Sequence, residues 1–358
     1  MVIGIHGSYG FVGYHLWAYL NYKCDGVEVI RLSKSLDNDD ELKRCNVIVH
    51  MAERNKGDVH QLYIDNIKSA EGLTTRLDEV KGRPSIIYTS SIHEDDDDLY
   101  GKWRRDNIQM FQHWTDDFKS IKLPNIYGPF CKPNYNSFIA TFCDKIIKGE
   151  DLSVTDNDVN LLYVEDLCAQ ILDVILDKRI EVNYTDTVST KYVYNTLLRF
   201  KDNYLTKNKI PELLSEFELN LFNTFRSYID NDNRLFSIDT YTDERGSLSE
   251  LVISKTEGQI FYSTTKPNIG AIRGNHFHTK RIERFCILEG DALVSMRKVG
   301  TDEVIEYKIS GNNNVVFDTP VYYTHNLQNI GDTTLIACFW MNDILKENEI
   351  DDTYIESV

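Results

Sequence analysis

The chain has 358 residues, enough for two domains, with 42% hydrophobic and 27% charged residues and a formal net charge of −17. That charge excludes a general nucleic-acid or anionic-membrane binder, because no long Lys/Arg cluster offsets it. No apolar run reaches the roughly 18–20 residues of a membrane span and the N-terminus lacks a signal-peptide pattern, so a cytoplasmic protein is expected.

The first elements alternate. "MVIGIHG" reads as a strand, "YHLWAYLNY" as a helix, "GVEVIRLS" and "CNVIVHMA" as strands, "YIDNIKSAEGLTTRLDEV" as a helix and "RPSIIYTSS" as a fourth strand. This alternation predicts a parallel, doubly wound α/β sheet of the Rossmann type. Helical patterns continue through "NSFIATFCDKIIKGE" and "YVEDLCAQILDVILDK" to about residue 230. Short β-rich runs then follow, from "LVISKTEGQIFYSTT" to "TLIACFWMN", separated by turn residues. They predict an all-β sandwich or barrel. The expected domains are 1–232 and 233–358. The seven cysteines are scattered, with no CxxC, which suits reduced thiols rather than a disulfide framework.

Between the first strand and the first helix lie Gly7, Gly10 and Gly13 in a GxxGxxG spacing. Such a turn lets backbone approach a pyrophosphate while the helix N-terminus supplies partial positive charge. The loop's Gly7, Tyr9, Gly10, Phe11 and Gly13 are therefore candidate cofactor-binding residues. Dinucleotide proteins that prefer NAD often place an acid after the second strand. Here Arg31, Ser33 and Lys34 stand instead, which suits a 2′-phosphate and favours NADPH.

In "YTSSIHEDDDDLYGKWR", Ser90 and Ser91 end the fourth strand and Tyr100 follows. The stretch resembles the extended short-chain dehydrogenase/reductase family. The resemblance implies that Ser91 hydrogen-bonds the substrate oxygen and that Tyr100 exchanges a proton with it while hydride moves to or from the carbon. The family's lysine, four residues after the tyrosine, is Arg104 here; arginine keeps the charge and can still bond ribose hydroxyls. Lys102, two residues after Tyr100, points elsewhere on a helix. Ala52 in "VIVHMA", Asn66, Asn125 and Tyr127 in "LPNIYGP" and Asp166 in "LYVEDL" also match extended members, most of which act on nucleotide sugars. Ala52 joins the cofactor-binding set.

In "GNHFHTKRIERFCILEG", His276 and His278 alternate onto one strand face, and Glu283 follows; "TPVYYTHNLQN" supplies His325 and Asn329. The two stretches resemble the cupin superfamily motifs, with Tyr322 in place of the usual glycine. The resemblance carries a metal role onto His276, His278, Glu283 and His325, a donor set that suits zinc or another divalent transition metal.

Both halves in this order resemble the CapF (WbjC) family of bifunctional capsular polysaccharide synthesis enzymes. The most specific stretches are "CKPNYNSFIATFCDKI", "DERGSLSE", "GNHFHTK" and "THNLQNIGDT". The resemblance implies C3 epimerisation of a UDP-4-keto-6-deoxy-2-acetamido-L-hexose by the cupin. NADPH-dependent reduction of the C4 ketone by the first domain then gives a UDP-N-acetyl-6-deoxy-L-hexosamine. A C3 proton is acidic only beside the C4 ketone, so epimerisation comes first. Candidate proton-transfer groups are Tyr323, which shares the strand parity of His325, with Lys280, Arg273 and the histidines. A homodimer is expected. Two alternatives stand beside this reading: a reductase whose cupin serves only dimerisation, and a degenerate nucleotide-sugar-binding scaffold.

Overall fold

The computed structural model describes residues 1–267, 270–343 and 352–358. The chain folds into two compact units, one of Met1–Phe142 and Val154–Tyr192, the other of Cys143–Ser153 and Val193–Val358.

In the first unit, β1 (Val2–His6), β2 (Glu28–Leu32), β3 (Val47–His50), β4 (Ser85–Ser91) and β5 (Phe118–Leu123) form a parallel sheet in the order β2-β1-β3-β4-β5. The helices α1 (Phe11–Lys23), α2 (Asp39–Arg44), α3 (Val59–Glu79) and α4 (Leu99–Trp114) connect them. A parallel sheet is covered on both faces, so its inner strands β1 and β3 are largely apolar. Ile3, Ile5, Val49 and Ile87 enter one core cluster; Ile30, Ile48, Ile86 and Tyr88 enter another. Strand order reverses between β1 and β3, and the crevice at the C-terminal ends of such strands is where doubly wound sheets bind ligands. The unit continues with β6 (Asn125–Tyr127), β7 (Asp158–Tyr163), α6 (Val164–Ile175) and β8 (Asp186–Ser189); α5 (Phe138–Lys148) precedes β7 and runs across the division between units.

The second unit opens with α7 (Thr190–Phe200), whose first turn lies in the first unit, and α8 (Glu216–Arg226). Its strands are β9 (Leu235–Ser237), β10 (Thr240–Asp243), β11 (Gly246–Ser249), β12 (Gln259–Thr265), β13 (Ile272–Phe277), β14 (Glu283–Glu289) and β15 (Asp291–Lys298). They continue with β16 (Val304–Ser310), β17 (Val315–Thr319), β18 (Tyr323–Asn329), β19 (Leu335–Met341) and β20 (Tyr354–Ile355). Two antiparallel sheets result, β12-β19-β14-β17-β9 and β16-β15-β18-β13-β20, beside a β10–β11 hairpin. Alternate residues face inward. Phe285, Ile287, Phe317 and Leu335 from one sheet meet Val294, Met296, Ile309 and Leu327 from the other.

The expected boundary at 232/233 falls inside this unit. The segment from 193 to 232, assigned from sequence to the first domain, packs with the β-sheets instead. Arg284 on β14 binds Asp318 bidentately at 2.6 and 2.8 Å, Tyr204 donates to the same carboxylate, and Asn223 of α8 donates to the carbonyl of Lys280 at 2.6 Å. Arg284 and Asp318 are fully buried, so this charge pair is bonded where water cannot reach it. None of the seven cysteines, all among the described residues, forms a disulfide. Among the described residues no helix is long and apolar enough to cross a membrane.

Candidate active sites in the two units

The glycine loop crosses the crevice at the end of β1. Gly7 has φ +103°, and a Cβ there would lie 2.8 Å from the backbone N of Ala52; a Cβ on Gly13 would lie 2.2 Å from the carbonyl of Gly7. Only glycine permits both the turn and the close approach. Gly10 caps α1 with no side-chain hydrogen bond, which leaves the helix N-terminus open. Ser8 Oγ and Arg31 Nε are buried without a hydrogen-bond partner. Arg31 is sandwiched between the rings of Tyr9 and Trp17, 4.1 and 4.6 Å from their centroids. A glycine cradle, orphaned donors and a stacked cation fit an anionic dinucleotide. Ser33 Oγ donates to Asp37 at 2.9 Å, which, with the Ser35 hydroxyl, holds the Asp37 carboxyl below its ordinary range.

At the ends of β3 and β4 the structure joins Tyr100 to Arg104. Arg104 Nη2 donates to Tyr100 Oη at 2.7 Å and to Asn55 Oδ1 at 3.2 Å, and the guanidinium lies 4.4 Å from the Tyr100 ring centroid. Arg104 Nη1 binds Glu53 Oε2 at 2.5 Å, and Tyr88 donates to the other carboxylate oxygen. Burial opposes the Arg104 charge, but Glu53 and the two phenols outweigh it and raise its pKa. Ser91 is engaged locally, with its Oγ accepting from His93 N–H at 3.2 Å. Lys102 bonds Asp106 at 2.6 Å and Tyr63, away from Tyr100, as its spacing predicts. Asn66 is a clamp: it accepts from Arg54 N–H and donates to Arg54 C=O, both at 2.8 Å, pinning the segment that carries Glu53 and Asn55. Glu53, Asn55 and Tyr88 are absent from the sequence reading. The signal that could have found Glu53 was Arg104, a cation in a motif position that needs a buried counter-charge.

In the second unit, His276 and His325 are register partners on β13 and β18, while His278 and Glu283 flank the β13–β14 turn. Their ligand atoms all lie within 4.8 Å of one another. A bulge at Gly274, φ +100°, lets β13 approach β18; a Cβ there would stand 2.7 Å from the carbonyl of His325. His325 Nδ1 is held by the carbonyl of Tyr323 at 3.2 Å and His278 Nδ1 by that of Asp352. Such outer bonds fix the ring orientation and leave Nε2 for a metal. His276 Nε2 and His278 Nε2 are indeed buried without partners. Glu283 Oε2 lies 2.9 Å from His325 Nε2 and accepts from Thr319 Oγ1 at 3.2 Å. Burial, with the neighbouring imidazoles, pushes His276 down to about 4. Burial would raise Glu283, but the imidazoles outweigh it and hold the carboxyl at about 2. Burial lowers His276 and His278, which keeps them neutral, and Glu283 is ionised, as a divalent transition metal requires of its ligands, so the residues fit one.

Tyr322, the residue in the glycine position, has φ +59° and is buried. An aromatic residue in the left-handed region is strained by about 1–3 kcal/mol. Its N–H bonds the carbonyl of His278 at 2.7 Å, so the strained turn clamps the histidine strand. A cavity of about 170 Å³ opens on the cluster, lined by Phe261, Ser263, Arg273, Asn326, Phe339 and Met341 with His276, Glu283 and His325. Tyr323 shares His325's parity, yet its ring packs against the barrel core and is not among the lining residues. Lys280 bonds Glu216 at 3.1 Å and does not line the cavity either. Of the candidate proton-transfer groups, Arg273, His276 and His325 reach it.

Residues 241–354 match the polysaccharide biosynthesis C-terminal domain family. The whole chain is 27% identical to the UDP-2-acetamido-2,6-β-L-arabino-hexul-4-ose reductase of Pseudomonas aeruginosa, covering 99% of it. The capsular polysaccharide assembling protein CapF of Staphylococcus aureus is similar over 100% of both chains, with 31% identity and a TM-score of 0.60. The structure of RMD from Pseudomonas aeruginosa complexed with NADPH shares the fold at 14% identity, with a TM-score of 0.52 over 63% of this chain and 98% of that one. Its Rossmann-type α/β unit, its cupin-type β unit and its full-length similarity place this chain in the CapF family.

Proposed function

We propose that the chain is a bifunctional nucleotide-sugar enzyme of capsule or surface-glycan synthesis. Its β unit epimerises C3 of a UDP-4-keto-6-deoxy-2-acetamido-L-hexose, and its first unit then reduces the C4 ketone with NADPH. One observation carries the reading: a single chain holds a buried His/Glu cluster opening on a cavity and, separately, a cation-bonded tyrosine beside a glycine cradle. The relatives named a reductase and CapF support it.

In the β unit, C3 deprotonation builds negative charge on the C4 oxygen. Arg273 and Asn326, on the cavity wall, are the donors for that oxygen. Proton transfer is assigned to groups lining the cavity. Zinc or a similar ion, held by His276, His278, Glu283 and His325, would supply Lewis-acid stabilisation. In the first unit, NADPH would supply the hydride. Tyr100 Oη gives its proton to the C4 oxygen, and Arg104 holds the phenol from behind. Ser91, at the end of β4, is assigned to the substrate oxygen. Arg31, Ser33 and Lys34 are assigned to the 2′-phosphate and account for NADPH rather than NADH. The protein works in the cytoplasm as a homodimer, for which the exposed Tyr241 and Leu248 of the β10–β11 hairpin offer apolar surface.

The test is deuterium exchange at C3 in D₂O without NADPH, followed by NADPH oxidation with the same 4-keto substrate. Exchange and then oxidation is the expected result. Oxidation without exchange would leave a reductase with a structural β unit, and neither would leave a binding scaffold.

The metal reading makes a second prediction. The Asp352 carboxylate accepts from the N–H groups of Thr279, Lys280 and Arg281, while its carbonyl orients His278. Asp352→Ala is expected to weaken divalent-metal affinity by about 10–100-fold in chelator competition. Unchanged affinity would show that His278 keeps its orientation without this clasp.

A further inference from the structure

We propose that Glu53 is a positioning residue for the reductase site, the carboxylate that lets an arginine do the work of the family lysine. This rests on the reductase reading above. Lysine offers a compact charge on a flexible stem, which can reach a phenol without other support. A guanidinium is planar, and its donors must all be oriented together. Here the Arg104 side chain is only 4% exposed and that of Glu53 5%. An arginine so buried needs an acid, and a carboxylate so buried needs a cation. Each is met by the other.

The geometry shows what the pairing does. Glu53 Oε2 holds Nη1, and Asn55 Oδ1 takes one donor of Nη2. These two acceptors set the guanidinium plane, so that Nη2 also reaches Tyr100 Oη at 2.7 Å. Glu53 Oε1 is occupied by the Tyr88 hydroxyl, and Asn66 clamps the adjoining backbone, so the carboxylate cannot swing away. The chain of bonds runs from Tyr88 to Glu53, and from Arg104 to both Glu53 and Tyr100.

Glu53 also tunes charge. Reduction requires Tyr100 to carry its proton. The Arg104 guanidinium lies against the phenol, and the Glu53 carboxylate is its counter-charge. The other groups near the phenol are His93, 6.4 Å between ring centroids and itself bonded to Asp96, and Tyr88, which acts through Glu53. Burial and the Glu53 charge push Tyr88 well up, so it stays neutral.

The experiment is the pH profile of steady-state NADPH oxidation for the full-length wild type and Glu53→Gln, with a 4-keto UDP-sugar. The expected result is a kcat lower by about tenfold, with KM for NADPH changed by less than about twofold. The alkaline limb of the kcat profile moves to lower pH, because the unbalanced guanidinium favours the phenolate. A merely structural role would lower activity without moving the limb, and that outcome overturns the proposal, as does an unchanged kcat.

Arg104→Lys alone and with Glu53→Gln keep the test decisive should Glu53→Gln fail to fold. Glu53 would draw the lysine ammonium away from the phenol, so the double variant is expected to be faster than Arg104→Lys alone. Additive losses would overturn the pairing. A wild type that oxidises no NADPH overturns the reductase reading and this inference with it; an active wild type with unaltered Glu53→Gln kinetics overturns this inference alone.

Discussion

Tyr100→Phe is expected to slow NADPH oxidation with a 4-keto UDP-sugar by on the order of 10²–10⁴-fold, while C3 deuterium exchange continues at the wild-type rate. The substitution removes one atom from the site. The ring that packs edge-on against Trp103, with centroids 4.6 Å apart, and lies under the Arg104 guanidinium remains. Folding is therefore spared. What is lost is the hydroxyl that accepts from Arg104 Nη2 and that would give its proton to the C4 oxygen. Without a proton donor, hydride arrival leaves an unneutralised alkoxide, and the barrier rises accordingly. The loss of reduced-nicotinamide absorbance measures the first activity, and NMR of the sugar measures the second. An unchanged oxidation rate would remove Tyr100 from the reaction. A parallel loss of exchange would show that the substitution had damaged more than one unit.

Glu283→Gln is expected to produce the reverse pattern. It exchanges the single ionised donor of the cluster for a neutral amide of the same size. Three neutral imidazoles with an amide attract a divalent cation far less than three imidazoles with a carboxylate. Metal affinity is expected to fall by at least the roughly 10–100-fold seen when only an outer partner is lost, and C3 exchange falls with it. The first β14 position is otherwise kept, because Thr319 Oγ1 can still donate to the amide oxygen. NADPH oxidation of a sugar already epimerised at C3 should persist, since Tyr100 and Arg104 belong to the other compact unit. Metal analysis of the purified variant and the exchange assay test this together. A variant that keeps its metal and its exchange would exclude Glu283 as a ligand.

Much of both sites could be read from local spacing. GxxGxxG after an apolar strand placed the glycine cradle, since only a strand–turn–helix junction brings three glycines to one crevice. His276 and His278 stand two residues apart, and the cupin pattern pointed onward to His325, the register partner of His276. Other features had no local signal. Glu53 follows a strand and resembles any loop acid; only the return of α4 brings Arg104 against it. Asp352 lies far from the histidines in sequence and reaches them through β20 pairing with β13. Tyr323 shows the opposite failure. Its parity was right, but parity chooses a face, not a depth, and its ring lies against the core rather than the cavity.

Periodicity, glycine placement and motif spacing by themselves determined that this is a Rossmann-type α/β unit followed by an all-β unit. These are properties of neighbouring residues, governed by the 3.6- and 2-residue periods of helices and strands. Tertiary structure alone decided that the helical segment 193–226 packs with the β-sheets, where Tyr204 donates to the buried Asp318 carboxylate 114 residues away. It also decided that Arg104 is held by Glu53, 51 residues away. The physical reason is common to both. A buried charge must find its partner wherever the fold brings one, and no local period records where that will be.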